Sequence, residues 1–320
     1  MMKIVILDGG VLNPGDLSWD KLQQLGEITV YDTSEPDQVV DRIADADIAI
    51  INKVLLGEKE FSQCPNLKFI GVTATGYNVI DLEAAKKHGV IISNVPTYGT
   101  ATVAQFTTAL MLELCNQVGL HDNDVHAGGW GKKPDFCYWL KPMLEVAGKN
   151  VGIIGYGRIG QAFGAVAQAL GMNVLAYDEY QNKALENDRV RYVDLDTLYA
   201  ESDVISLHCL LTPKTLGLIN AESLGKMKKS ALLLNASRGD LVNEADLADA
   251  LNNGVIAGAA VDVLSKEPPV PENPMLTAKN CIITPHIAWA SVEARGRILS
   301  TTVDNVKAFI DGEPQNRVGN

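Results

Sequence analysis

Short apolar runs rich in Val and Ile recur along the chain, each followed by a stretch with helical spacing. "KIVILD" (3–8), "ITVYD" (28–32), "IAII" (48–51), "LKFIGV" (67–72) and "VIISN" (90–94) predict five strands, separated by segments such as "PDQVVDRIADA" and "NVIDLEAAKKHG". Alternation of this kind predicts a parallel sheet wound on both faces. "VPTYG" (95–99) breaks the pattern, and a long helix follows near 102–118. Its apolar positions Val103, Phe106, Leu110, Leu114 and Val118, joined by Ala104, Ala109 and Met111, cover most of its circumference, which predicts a helix buried between two bodies. Residues 120–149, with "HAGGWGKKPDFCYWLKP", are the least regular and predict an extended arm.

A second alternating block begins at Val151. Its predicted strands are "VGIIG" (151–155), "NVLAYD" (173–178), "VRYVD" (190–194), "VISLHC" (204–209), "ALLLNAS" (231–237), "IAGAAVDV" (256–263) and "CIITPH" (281–286). The closing stretch 291–312 predicts a helix with Ser291 as N-cap, Glu293 in its first turn, an apolar stripe through Leu299, Val303, Val306 and Ile310, and Gly312 as the stop. The pattern therefore predicts two domains, 1–98 with 291–320 and an inserted 99–290, joined by the helices near 102–118 and 291–311 and separated by a cleft.

Composition fits this picture. At 320 residues, 47% of them apolar, the chain exceeds one core and can bury two. A formal charge of −12 with no basic stripe speaks against nucleic acid or an anionic membrane as partner. The opening "MMKIVILDGG" lacks the features of a secretion signal, and apolar runs such as "GVIAGAAVDVL" are too short to span a bilayer. The five cysteines are scattered with no CxxC pair, so neither a disulfide framework nor a zinc site is expected, and a cytoplasmic location is.

"NVGIIGYGRIGQAF" supplies the first chemistry. Gly155, Gly157 and Gly160 follow a predicted strand and open a predicted helix, and Asp178 ends the next strand, which together form a dinucleotide fingerprint. Gly155 allows the tight turn, Gly157 lets backbone approach a pyrophosphate, and Gly160 lets helix and strand pack closely, while the N–H groups of Arg158 and Ile159 face the phosphates. The Asp178 carboxylate accepts from both ribose hydroxyls and repels a 2′-phosphate; Glu179 and Tyr180 offer no compensating arginine, so NAD is expected over NADP. The predicted fold is thus α/β, with an inserted Rossmann NAD-binding domain and a second, flavodoxin-like domain for the substrate.

Three charged residues stand at strand ends of the second block: Arg238 after "ALLLNAS", Glu267 after "AAVDVLSK" and His286 closing "CIITP". Any one alone reads as an ordinary surface or core residue. Together they fit reduction of a 2-oxo acid by hydride: His286 donates the proton, Arg238 binds the carboxylate and polarises the carbonyl, and Glu267 hydrogen-bonds the imidazole. The loop "TATGY" (73–77) offers N–H groups for a carboxylate, and Trp139 and Trp289 serve equally as pocket walls or as packing aromatics.

With these residues on view, the chain resembles the D-isomer-specific 2-hydroxyacid dehydrogenases over essentially its whole length, most nearly their glycerate dehydrogenase (hydroxypyruvate reductase) branch. "TATGYNVIDLEAAKKHGVIISNVPTYGTATVAQFT", "GIIGYGRIGQ", "LNASRGDLVNEADLADAL", "AAVDVLSKEPP" and "ITPHIAWAS" carry the likeness. The resemblance implies the catalytic set Arg238, Glu267 and His286. It further implies that Asp262 contacts the nicotinamide side, that Thr75 and Gly76 shape the substrate loop with Thr75 also near the cofactor, and that Cys209, Ala236 and Ser237 line the NAD site. A homodimer built through the cofactor domain, with the 120–149 arm reaching its partner, is implied as well. The chain departs from the family at Leu210, where proline is frequent, and at Gln105, where glutamate is common. Other readings of the same pattern are D-lactate or another D-2-hydroxy acid as substrate, or a non-catalytic NAD-sensing protein. Glu267 argues against formate oxidation, which pairs the histidine with a neutral amide.

Overall fold

In the computed structural model, which describes residues 1–319, contacts divide the chain into two units, Met1–Gly99 with Trp289–Asn320 and Thr100–Ala288. The first unit forms β1 (Met2–Ile6), α1 (Gly9–Leu12), α2 (Asp20–Gln23), β2 (Gly26–Val30), α3 (Val39–Ile43), β3 (Ile48–Ile51), α4 (Glu58–Gln63), β4 (Phe69–Val72), α5 (Leu82–Lys87) and β5 (Ile91–Ser93). The strands pair in parallel in the order β2-β1-β3-β4-β5. Every residue of β3 and β4 is buried because both sheet faces are covered. Val5, Ile51 and Ile70 face one core with Phe61, whereas Ile4, Ile50 and Phe69 face the other.

The second unit forms α6 (Thr100–Asn116), α7 (Val118–His126), β6 (Asn150–Ile154), α8 (Arg158–Ala169), β7 (Asn173–Tyr177), β8 (Val190–Tyr192), α9 (Leu195–Glu201), β9 (Val204–Leu207), α10 (Ala221–Gly225), β10 (Leu232–Asn235), α11 (Glu244–Asn252), β11 (Gly258–Val261) and β12 (Cys281–Ile283). Its sheet is again all parallel, ordered β12-β11-β10-β9-β6-β7-β8. The order reverses between β6 and β9, the place where such sheets open a crevice for ligands at their C-terminal edge. Each expected strand is present.

Two helical expectations are corrected. The long helix stops at Asn116, because Gln117 adopts a left-handed φ of 50° and α7 starts anew, leaving Val118 64% exposed. Of the buried positions of α6, Val103, Ala104, Thr107, Leu110, Met111 and Cys115 share one face and Thr102 donates to the Ala288 carbonyl; the helix packs against α8, β10 and β11, while Ala109 is exposed. With Gln105 and Ala109 exposed, the helix is not buried all round. The 120–149 arm is not extended throughout either: its start is α7, which has no buried residue, and a 3-10 turn follows at Trp130–Lys132.

The chain closes with α12 (Val292–Ile310), part of the first unit. Ser291 caps it by accepting from the Ala294 N–H, and Gly312 follows at φ 83°. The predicted stripe is shifted: Leu299 and Val306 are buried, Val303 is half-buried and Ile310 is exposed. Ala294 and Ile298 join the buried face, together with the polar Arg295, Thr302 and Asn305, each of which has partners. Arg295 makes two 2.6 Å hydrogen bonds to Asp16, and Asn305 donates to the Asn94 carbonyl.

Candidate active site

The fingerprint turn is built for close contact. Gly155 has φ +94°, and a Cβ there would stand 2.4 Å from the Cys209 nitrogen; one on Gly160 would stand 2.3 Å from the Gly155 oxygen. Above Gly157 there is open space. Gly157 caps α8 without a side chain, and among the described residues the N–H groups of Arg158, Ile159 and Gly160 find no acceptor. Three unpaired donors at the positive end of a helix, beneath free room, suit the pyrophosphate of a dinucleotide.

The neighbouring loops frame this turn. Asp178 follows β7, and its Oδ1 accepts from the Tyr180 N–H. Cys209 follows β9; burial pushes its thiol up to about 11 and the nearby Asp178 carboxylate acts in the same direction, so the sulfur stays neutral. Ser237 Oγ donates to the Cys209 carbonyl at 2.9 Å, linking the β10 and β9 loops. A cation absent from the local sequence also stands here. Lys214 Nζ, from the loop after β9, pairs with Glu179 Oε1 at 3.0 Å, an exposed pair spanning loops that flank β6.

At the other side of the sheet, Arg238, Glu267 and His286 follow the adjacent strands β10, β11 and β12. His286 and Glu267 are brought together directly, Nδ1 to Oε2 at 2.6 Å. Glu267 Oε1 also accepts from the Leu264 N–H at 3.1 Å, which orients the carboxylate. His286 Nε2 has no partner among the described residues. Arg238 is exposed, and its Nη1 donates to the Ser237 carbonyl.

His286 sits at φ +55°, a conformation costing about 1–3 kcal/mol that surrounding bonds must hold. Its N–H bonds the Asp262 carbonyl at 2.8 Å. The buried Asp262 carboxylate accepts from Thr284 Oγ1 at 2.6 Å, Ile287 N at 2.9 Å and Ala288 N at 2.8 Å. Asp262 thus clamps the turn that presents the imidazole. Asn235 shapes the Arg238 turn in the same way, accepting from Ser237 N and donating to the Arg238 carbonyl. Gly239 lets that turn approach the Glu267 loop, since a Cβ there would stand 2.0 Å from the Leu264 carbonyl carbon. Thr284 and Gly239 escaped the sequence reading because each acts across a contact between distant segments, and Asn235 because its partners are backbone groups of the turn that follows it.

In the first unit, the loop after β4 is held by side chains. Asn52 Nδ2 donates to Thr73, Thr75 Oγ1 donates to the Val95 carbonyl, and Asn94 Nδ2 donates to the Thr75 carbonyl at 2.7 Å. The N–H groups of Thr75, Gly76 and Tyr77 find no acceptor among the described residues, so they are available to an anion. Trp289 lies edge-on to Tyr98, 6.3 Å between centroids, whereas Trp139 is 65% exposed.

Residues 108–288 match the family described as "D-isomer specific 2-hydroxyacid dehydrogenase, NAD binding domain". The chain is 55% identical over 320 residues to a hydroxypyruvate reductase of Blautia hydrogenotrophica, covering 99% of each, and 44% identical over 288 residues to a glycerate dehydrogenase of Methylorubrum extorquens, covering 89% of this chain and 90% of that one. Among solved structures, the NAD-complexed D-isomer specific 2-hydroxyacid dehydrogenase of Lactobacillus delbrueckii superposes with a TM-score of 0.78 at 28% identity, covering 99% of this chain and 100% of that one. The chain therefore belongs to the NAD-dependent D-isomer-specific 2-hydroxyacid dehydrogenases.

Proposed function

We propose that the protein reduces hydroxypyruvate, and glyoxylate beside it, with NADH, and runs the reverse oxidation of D-glycerate. The observation that carries this reading is the 2.6 Å contact of His286 Nδ1 with Glu267 Oε2, which leaves Nε2 free, in a chain 55% identical to a hydroxypyruvate reductase. NADH supplies the hydride. His286 supplies the proton from Nε2 to the carbonyl oxygen, and Glu267 stabilises the imidazolium before transfer. Arg238 turns its guanidinium from the Ser237 carbonyl to the substrate carboxylate and polarises the carbonyl. In oxidation the neutral imidazole takes the hydroxyl proton at the same atom.

The N–H groups of Arg158 and Ile159, with Gly155, Gly157 and Gly160, hold the pyrophosphate; Asp178 takes the adenosine ribose; and Cys209, Ala236 and Ser237 line the site. Asp262 acts on the nicotinamide side through the His286 turn. Thr75 and Gly76 are carried forward as substrate-loop residues on the family resemblance and their unpaired N–H groups. Residues 1–98 with 291–320 act as the substrate domain and 99–290 as the cofactor domain.

We also infer a homodimer in the cytoplasm. No described helix is long and apolar enough to cross a membrane. The arm exposes Trp130, Phe136, Trp139 and Met143, large apolar side chains that a second copy of the chain could cover. A kinetic panel of hydroxypyruvate, glyoxylate, pyruvate and a branched 2-oxo acid with NADH and NADPH tests the activity. Highest kcat/KM for hydroxypyruvate with NADH is expected. Preference for pyruvate would reassign the substrate, and NADH binding without turnover of any acid would make the chain a sensor.

A further inference from the structure

Glu267 lies in an irregular connection, "LSKEPPVPEN" (264–273), whose position must be imposed from outside. One carboxylate holds both ends of it. Glu244 Oε1 accepts from the Ser265 N–H at 2.6 Å, and its Oε2 accepts from Asn273 Nδ2 at 2.7 Å. Asn273 is buried and its Oδ1 accepts from the Met275 N–H at 2.9 Å, which fixes the amide so that Nδ2 points at Glu244.

Glu244 stands in the first turn of α11, where a carboxylate is favoured anyway by the helix dipole. That does not explain its orientation. The capping of α11 is done by Asn243, which accepts from the Asp246 N–H, and Glu244 forms no ion pair among the described residues. Both its oxygens face the loop. The connection from β10 to α11 carries Arg238 and Gly239, whose bare Cα abuts Leu264, and leads directly into Glu244. A single segment thus carries the guanidinium and grips the loop carrying the Glu267 carboxylate.

We propose that Glu244 is a positioning residue for the reaction, keeping Glu267 within hydrogen-bond distance of His286 and fixing that pair relative to Arg238. This rests on the roles assigned above to those three residues. With Glu244 removed, the loop loses two charge-assisted bonds, and Glu267 drifts from the imidazole while the core of the unit stays intact.

The test compares Glu244→Ala, Glu267→Gln and the double variant with the wild-type chain, measuring kcat and KM for reduction and NADH affinity. Glu244→Ala is expected to lower kcat roughly 100-fold with NADH affinity unchanged, since misplacement of a catalytic group by about 1 Å has that effect. KM should stay near the wild-type value, so that the loss falls on kcat as it does in Glu267→Gln. The double variant should be no slower than Glu267→Gln alone. Glu244→Gln keeps one acceptor and should recover part of kcat, and it reads the same effect should the alanine variant fail to fold. Wild-type kcat in both Glu244 variants, or effects that multiply in the double variant, would overturn the assignment. Wild-type rates in Glu267→Gln would instead remove the role given above to Glu267 while leaving the proposed activity standing.

Discussion

His286 is useful to a substrate in one orientation only, because Nδ1 is engaged by Glu267 and Nε2 is left for proton transfer. His286→Ala and Arg238→Ala are accordingly expected to reduce kcat by about 10²- to 10⁴-fold while NADH still binds with native affinity, read by quenching of intrinsic fluorescence. Near-native turnover in either variant would end the role assignment. Asp178→Ala should narrow the preference for NADH over NADPH by about tenfold or more, as seen in the ratio of the two Kd values. An unchanged ratio would take Asp178 out of the ribose site. These residues were legible in the sequence because charged groups at the ends of apolar strands are conspicuous. Asn235, Gly239 and Asp262 were harder to read, since their work is to hold turns through contacts with segments about 25 residues away or through backbone groups that carry no sequence signature.

Strands that are buried on both faces appear as unbroken apolar runs, so the elements of both sheets could be read directly. Helix ends were less visible. The break between α6 and α7 falls on Gln117 at φ 50°, a residue type that gives no warning of left-handed backbone. Gln117→Gly should stabilise the chain by about 0.5–1 kcal/mol in urea unfolding, by relieving that conformation. Destabilisation would mean that the Gln117 side chain contributes more than its backbone costs. α7 was missed for a different reason: none of its residues is buried, so it shows no apolar periodicity facing its own unit.

At the scale of the molecule, acid stability depends on a histidine outside the proposed chemistry. Burial pushes the His208 imidazole down to about 4; its Nε2 lies 2.9 Å from Ser206 Oγ and its ring 5.5 Å from that of Phe163. The unfolded chain takes up this proton near pH 6.5 and the folded chain does not, so stability is full above that value and is lost as pH falls towards 4, by about 2–3 kcal/mol. Urea midpoints should therefore drop over that range and drop less in His208→Gln; an identical decline in both would exclude His208 as the cause. The two sheets share a property with a broader consequence. Because all strands of the second unit point the same way, the reactive groups gather at one rim, and the returns into the next strand, such as Asn253–Gly254 ahead of β11, collect at the opposite rim. Length and composition there are free to drift, or to accept a grafted tag, without disturbing the chemistry.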